Sequence, residues 1–179
     1  MGRAARNSFY PVNDLAIAGN YAYVAYEPYG LSIYDISKPS NPLYLRSVYN
    51  GGSREGLVLS GHYVYLANYD DGLRVYDISN PTNAVNICHT NNGARAWNVA
   101  LANNILYLAN DYDGLRVYDA SNPTNLVNIG HINNGGTAYN VAVSGNRTFR
   151  FYTGRATACI GRMVCRHCRT ARTVAVGMA

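Results

Sequence analysis

Short apolar runs alternate with turns rich in glycine, asparagine, aspartate and proline along residues 13–146. The runs are rich in Val, Ile, Leu and Tyr and have the usual length of β-strands. In one representative stretch they fall at 56–60, 62–68, 72–78 and 84–90. No helical period extends over a useful length of this region. The pattern therefore predicts an all-β fold built from short strands.

The middle strands are apolar on both sides. In the run YVYLA, Tyr63, Tyr65 and Ala67 belong to one side of the strand. Val64 and Leu66 belong to the other side. A sheet with one face in water would alternate apolar and polar residues. These sheets are therefore predicted to be covered on both faces.

The pattern recurs with a fixed period of 42 residues. The residues DGLRVYD occur at 71–77 and again at 113–119, and a weaker copy, YGLSIYD, occurs at 29–35. Residues 55–96 and 97–138 are identical at 25 of 42 positions, which makes the register secure. Four strands in each long period are typical of a β-propeller blade and not of the shorter coil of a β-solenoid.

The motifs in this repeat carry a family resemblance. LSIYD (31–35) and LRVYD (73–77 and 115–119) are each preceded by a GxYxYxA-like strand and followed by an Asn-Pro turn. The pattern resembles the LVIVD repeat family. The resemblance implies a propeller, generally on secreted or cell-surface bacterial and archaeal proteins, with no common catalytic activity and no catalytic residue to transfer.

The repeat pattern stops after Asn146. The following residues include seven arginines and three of the four cysteines, but no lysine and no acidic residue. Because the change is abrupt and is not a polar linker, we interpret this tail as an out-of-frame reading of a longer propeller gene, or as an artefactual end. We expect it to be irregular, and sequencing the source DNA tests the interpretation. The predicted divisions are a lead-in at 1–12, blades at 13–54, 55–96 and 97–138, the start of a fourth blade at 139–146, and the tail at 147–179.

About three and a third blades do not complete a propeller, which closes with roughly four to eight. We therefore predict an all-β, partial β-propeller of four-stranded antiparallel blades with an irregular C-terminal tail. Open blade faces are apolar, so self-association through the open blade edges is expected.

Charge and composition exclude several classes of protein. The net charge of +5 comes from the tail, since residues 1–146 carry eight Lys or Arg against ten Asp or Glu. No basic face for nucleic acid is therefore expected. No membrane span and no signal peptide is visible in this chain, and Cys88 stands alone in the repeat region. An extracellular or cell-surface location is implied only by the family resemblance.

Loops of one propeller face offer a candidate ligand site. Those joining strands two to three and four to one share a face, and here they supply aromatic, amide and carboxylate groups that suit a protein segment or a carbohydrate. For any single residue, packing between blades or covering a turn is the favoured alternative. The candidate ligand-binding residues are Tyr29, Tyr69, Asp70, Asp71, Arg95, Trp97, Asp111, Tyr112, Asp113 and Tyr139.

Other chemistry-bearing residues receive structural interpretations. Asp35, Asp77 and Asp119 recur at one phase of the repeat, which favours turn capping over catalysis. The DDG and DYDG loops have too few carboxylates for a calcium site. His89 and His131 are expected on exposed strand positions, and CIGRMVCRHC in the tail is only half of a zinc motif. We predict no metal, no cofactor and no catalytic residue.

The sequence favours a non-enzymatic binding or interaction module from a cell-surface or secreted repeat protein. One alternative is a truncated propeller hydrolase or lyase whose catalytic residues lie in missing blades. Near-identical blades disfavour it, because catalysis needs different residues at equivalent positions. A second alternative is a purely structural spacer.

Overall fold

The computed structural model describes residues 12–26, 30–49, 51–53, 56–133, 135–144, 148–153 and 156–160, with side chains up to residue 143. This part of the chain forms fifteen strands and one 3-10 turn, Pro81–Asn83. The strands are β1 Val12–Ala18, β2 Tyr21–Tyr26, β3 Gly30–Asp35, β4 Leu43–Val48, β5 Leu57–Ser60, β6 Tyr63–Ala67, β7 Leu73–Asp77, β8 Val85–Thr90, β9 Asn98–Ala102, β10 Ile105–Ala109, β11 Leu115–Asp119, β12 Val127–Ile132, β13 Ala138–Ser144, β14 Thr148–Thr153 and β15 Ala156–Ile160.

The strands form four consecutive antiparallel sheets. Blade 1 is β1–β4, blade 2 is β5–β8 and blade 3 is β9–β12, each with its strands side by side in chain order. A fourth sheet has three strands, β13–β15. The predicted fold, a partial propeller of four-stranded blades, is therefore confirmed. In blade 2, each observed strand lies within one residue of its predicted bounds.

The hydrophobic core lies between the blades, as the two-sided strands predicted. Val64 and Leu66 are buried in the cluster that joins blade 2 to blade 1. Tyr65 and Ala67, on the other side of the same strand, are buried in the cluster that joins blade 2 to blade 3. Alternate residues of one strand thus belong to two different interfaces, and each blade needs an apolar neighbour on both sides.

The first strand of each blade lies against the first strand of the next. β1 contacts β5, β5 contacts β9, and β9 contacts β13. One side-chain bond follows the same route, because Asp14 Oδ2 accepts from the backbone N–H of Leu57 in the next blade at 2.9 Å. The inner strands therefore line one side of the arc, and the loops at their ends lie close together.

The tail differs from the expectation of irregular structure. β14 and β15 lie within residues 148–160 and pair with β13. Phe149 pairs with Val143 and Phe151 with Val141, just as Leu106 and Leu108 pair with Leu101 and Val99 in blade 3. The tail thus has apolar residues at the alternating ladder positions that are apolar in blade 3, although its overall composition differs from that of the repeats. The expectation is wrong for these strands, whereas residues 161–179 lie outside the described part of the chain.

Candidate functional site

Loops from consecutive blades are tied together at one end of the arc. The N–H of Tyr69 donates to the carbonyl of Ala96 at 3.0 Å, and the N–H of Ala96 donates back to Tyr69 at 3.0 Å. Asp111 and Ala138 form the same pair one period later, at 3.1 and 2.9 Å. Both loop residues have left-handed backbone, with φ of 50° at Tyr69 and 51° at Asp111. These bridges hold the loop after the second strand of a blade against the start of the following blade.

Three aromatic rings meet at this end. Tyr69 packs edge-on against Trp97, with ring centroids 4.9 Å apart and planes at 88°. Trp97 in turn packs against Tyr139, at 5.1 Å and 73°. Trp97 is half-buried and Tyr139 is 45% exposed. We call Tyr69, Trp97 and Tyr139 the aromatic row. Edge-to-face packing of this kind stabilises the row beyond its apolar burial.

A charged pair borders the aromatic row. The guanidinium of Arg95 lies over the ring of Tyr69, 4.9 Å from its centroid, and Arg95 Nε donates to Asp70 Oδ1 at 3.1 Å. This hydrogen bond raises the pKa of Arg95. Both side chains are largely exposed, at 46% for Arg95 and 68% for Asp70. An exposed pair of this type contributes little to stability, and its groups remain accessible to a ligand.

Beneath the loops lie two copies of a polar network. Asp71 accepts from Asn68 Nδ2 at 2.6 Å and from both Nε and Nη2 of Arg74. His89 Nε2 donates to the carbonyl oxygen of Asp71 at 2.6 Å. Partial burial raises the pKa of Asp71, but the hydrogen bonds from Arg74 and Asn68 outweigh it, so that this pKa lies below its ordinary value.

Blade 3 repeats the network at the same phase. Asp113 accepts from Asn110 Nδ2 at 2.8 Å and from Arg116 Nε at 2.5 Å, and His131 Nε2 donates to the carbonyl of Asp113 at 2.6 Å. The bond from Arg116 lowers the pKa of the Asp113 carboxyl. An arrangement that appears unchanged in two blades fixes the loop that belongs to each blade. We therefore assign these two carboxylates a structural part.

The repeats identify the family of the chain. A sequence model described as "LVIVD repeat" matches residues 11–49, 51–89 and 93–134, which together make up more than half of the chain. The chain belongs to the LVIVD repeat family. No curated protein sequence matches it.

Solved structures with the same fold include two computationally designed proteins. The crystal structure of the designed Ika4 protein superimposes with a TM-score of 0.70 at 13% identity, covering 89% of this chain and 98% of that one. The crystal structure of the designed Ika8 protein gives a TM-score of 0.58 at 15% identity, covering 78% of this chain and 44% of that one. At such low identity the likeness supports the propeller-like fold of the LVIVD repeats and nothing about a ligand.

The LVIVD loops bring only some of the predicted site residues together. Tyr69, Asp70, Arg95, Trp97 and Tyr139 form one contiguous surface around the aromatic row. Asp71 and Asp113 lie in the two polar networks instead.

Of the other predicted residues, Asp111 and Tyr112 lie in the corresponding loop of blade 3, and the charge of Asp111 also contributes to the raised pKa of Arg95. Asp111 is 4% exposed and its backbone forms the bridge to Ala138, whereas Tyr112 is 72% exposed on the same loop. Tyr29 lies outside the described residues. Binding by any of the ten residues stays a prediction.

The asparagine and arginine partners of the two carboxylates were not predicted from the sequence. Asn68 and Asn110 are fully buried, and Arg74 and Arg116 follow their aspartates by three residues. The signal was present in the repeat, because the Asn, Asp, Arg and His positions all recur at 42 residues. His89 and His131 are exposed on their strands, as predicted.

Among the described residues, no group of three or more His, Cys, Asp or Glu could hold a metal ion. The cysteines of the tail motif CIGRMVCRHC lie beyond the side chains that the structure describes. No helix in the described part of the chain has the length and apolar character needed to cross a membrane.

Proposed function

We propose that this chain is a non-enzymatic binding module that holds a carbohydrate or a peptide segment on the surface around the aromatic row. The observation that carries the proposal is the convergence of Tyr69, Trp97 and Tyr139 beside the exposed pair of Arg95 and Asp70. Aromatic faces next to charged and amide groups are the usual composition of such sites. The family resemblance supports a cell-surface or secreted setting for this module.

The hydrogen bonds to the carboxylates of Asp71 and Asp113 support a role other than catalysis. Asp71 and Asp113 each receive hydrogen bonds from an arginine and an asparagine, which hold their pKa low. A general acid or base works best with a pKa near the operating pH. Carboxylates committed to arginine in two successive blades are suited to anchoring loops and poorly suited to moving protons.

The test exploits the fact that Trp97 is the one tryptophan of the chain. We expect a ligand that occupies the aromatic row to change the intrinsic fluorescence of Trp97, because the indole is half-buried beside the proposed surface. A panel of soluble oligosaccharides and extended peptides is titrated against the full chain while tryptophan emission is recorded. Ligands found in this way are confirmed by isothermal titration calorimetry.

Variants then locate the binding surface. Tyr139→Ala and Arg95→Ala are expected to weaken binding about tenfold or more, since each removes a direct contact. Tyr44→Ala, a partly exposed tyrosine on the outer strand of blade 1, serves as the control and should leave affinity unchanged. A panel in which nothing binds would favour the structural spacer, and turnover of a panel member would favour the enzyme.

A further inference from the structure

Each blade presents one side to the blade before it and the other side to the blade after it. The side that faces the preceding blade is closed in blades 2 and 3. Leu57, Val99 and Val141 occupy one phase of the repeat on that side, and they are 6%, 5% and 3% exposed. Val64, Leu66 and Tyr76 on the same side of blade 2 are completely buried.

The corresponding side of blade 1 is open. Leu15, at the phase of Leu57, is 54% exposed, and Ile17 beside it is 58% exposed. Val24 pairs with Leu15 across the ladder and is only half-buried, although its equivalent Leu66 has no exposed surface. We call the surface formed by Leu15, Ile17, Val24 and Tyr34 the uncovered side. Ser32 lies on the same side of its strand but is only 1% exposed. The uncovered side has the apolar pattern of a blade interface but no blade lies against it among the described residues.

The uncovered side also lacks the charges of its counterparts. Ser32 and Ser47 stand at the phases of Arg74 and His89, and their hydroxyls bond each other at 2.7 Å. The carboxylate of Asp14, the acidic residue of β1, is directed toward blade 2, where it accepts a hydrogen bond from Leu57 N. The surface is therefore neutral as well as apolar, and it meets no like-charge repulsion if it is packed against itself.

The described strands of the fourth sheet differ from the other blades at one ladder position. In the fourth sheet, Arg150 pairs with Ala142 and so takes the ladder position that Tyr107 has opposite Ala100 in blade 3. Tyr107 belongs to the side that faces the following blade. A head-to-tail contact would therefore set a ladder position held by arginine, in place of the tyrosine of blade 3, against the uncovered side.

We propose that two copies of this chain associate through the uncovered side of blade 1, each contributing the same surface around a twofold axis. The interface reuses apolar positions that already bury against a neighbouring blade at two other places in the chain. Apolar sheet faces pack against one another at the spacing of a β-sandwich, and twofold interfaces are the commonest among homo-oligomers. The dimer leaves the surface around the aromatic row in each copy independent of the contact.

The first experiment measures the mass of the full chain by light scattering and analytical ultracentrifugation over a range of concentrations. The parent chain is expected to be a dimer. Leu15→Asp is expected to raise the dissociation constant about 100-fold or more, because each copy then brings a carboxylate into an apolar contact. Val127→Asp is the matched control, since Val127 is similarly exposed (50%) on the outer strand of blade 3, and it should remain dimeric.

A charge-pairing experiment separates the twofold dimer from a head-to-tail one. Leu15→Asp and Leu15→Lys are each expected to be monomeric, and an equimolar mixture is expected to form a heterodimer because opposite charges then face each other. Circular dichroism of each variant establishes that the monomers are folded. A monomeric parent chain, or a Leu15→Asp variant that stays dimeric, overturns the proposal. A mixture that stays monomeric overturns the twofold arrangement.

Discussion

Arg116 binds both carboxylate oxygens of Asp113, with Nε 2.5 Å from Oδ2 and Nη2 2.9 Å from Oδ1. Arg74 binds Asp71 in the same way one period earlier. In both of these blades the aspartate lies in the loop that leads into the third strand, and the arginine lies on that strand. The pair therefore fixes the loop to its own blade, which gives a physical reason for the recurrence of the sequence DGLRVYD.

The first prediction concerns the geometry of this pair. Arg116→Lys keeps the positive charge but loses the planar fork, so we expect the free energy of unfolding to fall by about 1–2 kcal/mol. Arg95→Lys alters an exposed pair with Asp70 and should leave the free energy of unfolding almost unchanged. Urea denaturation of both variants at neutral pH measures the difference. Equal losses would show that the two pairs are equivalent and that the fork is unimportant.

The second prediction is a loss of stability in acid. The pKa of Asp113 lies below its ordinary value of 3.8, mainly through the hydrogen bond from Arg116. A carboxyl whose pKa is lower in the folded state stabilises the fold above the unfolded pKa, and this stabilisation disappears as the pH falls through the folded value. We expect the free energy of unfolding to be level above about pH 5 and to decline below about pH 4.

Asp113→Asn isolates the contribution of this one carboxyl to the acid transition. The variant should be less stable at neutral pH, and its stability should fall less steeply in acid than that of the parent chain. Part of the decline should persist, because hydrogen bonds to Asp71 and to the turn residues Asp77 and Asp119 also hold their pKa values low. Parallel curves for the variant and the parent would contradict the assignment.

The third prediction concerns the glycine of the repeated motif. Gly114 has φ of +86°, and a Cβ at this position would lie 2.2 Å from the carbonyl oxygen of Ile132. Gly135, in the same repeat, has φ of +79° but no atom within 4 Å of such a Cβ. We expect Gly135→Ala to cost about 1 kcal/mol through backbone strain alone. Gly114→Ala should cost more than about 3 kcal/mol, because the backbone must also move.

Thermal and urea denaturation of these two alanine variants checks the contrast. Gly72 offers a second instance, since a Cβ there would lie 2.4 Å from the carbonyl of Thr90. If Gly114→Ala and Gly135→Ala are equally stable, the close approach of the neighbouring strand to Gly114 does not contribute to the loss of stability.

The repeat made the architecture predictable from sequence. A period of 42 residues and apolar residues on both sides of the central strands required blades that cover one another, and the structure has them. The turn-capping role of the recurring aspartates was also predictable, because a residue that is repeated in every blade most often serves the structure of the blade. Asp35, Asp77 and Asp119 each accept the N–H of the residue two positions later, at 2.7, 2.8 and 2.8 Å.

The sequence predicted only that the residues of the aromatic row lie in loops on the same face of the propeller. Trp97 and Tyr139 occupy one phase of the repeat and Tyr69 another, so periodicity does not bring them together. Their contact depends on the backbone bridge between Tyr69 and Ala96, which joins two blades. Strands β14 and β15 were not predicted, for a different reason. Their formation depends on alternating apolar residues and on pairing with β13. The prediction of an irregular tail was based on composition instead.

The last prediction is a loss of stability at high pH. Tyr23, Tyr65 and Tyr107 occupy one phase of the repeat and are 2%, 2% and 6% exposed. Burial raises the pKa of all three phenols above the ordinary value of 10.0, because the phenolate would lose its hydration. A group whose pKa is higher in the folded state stabilises the fold below the unfolded pKa, and the stabilisation is lost as the pH rises through the folded value.

Stability should therefore decline above about pH 10, and the ultraviolet absorbance of these phenolates should appear together with the loss of the circular dichroism of the sheets. Tyr107→Phe keeps the ring in the interface between blade 3 and the fourth sheet but cannot ionise. We expect this variant to lose less free energy of unfolding between pH 8 and pH 11 than the parent chain. The difference should be at most about 1 kcal/mol, because the unfolded phenol titrates only near the upper end of this interval. If both chains lose the same amount over this interval, the buried phenols do not control alkaline unfolding, and another group in the blades must be responsible.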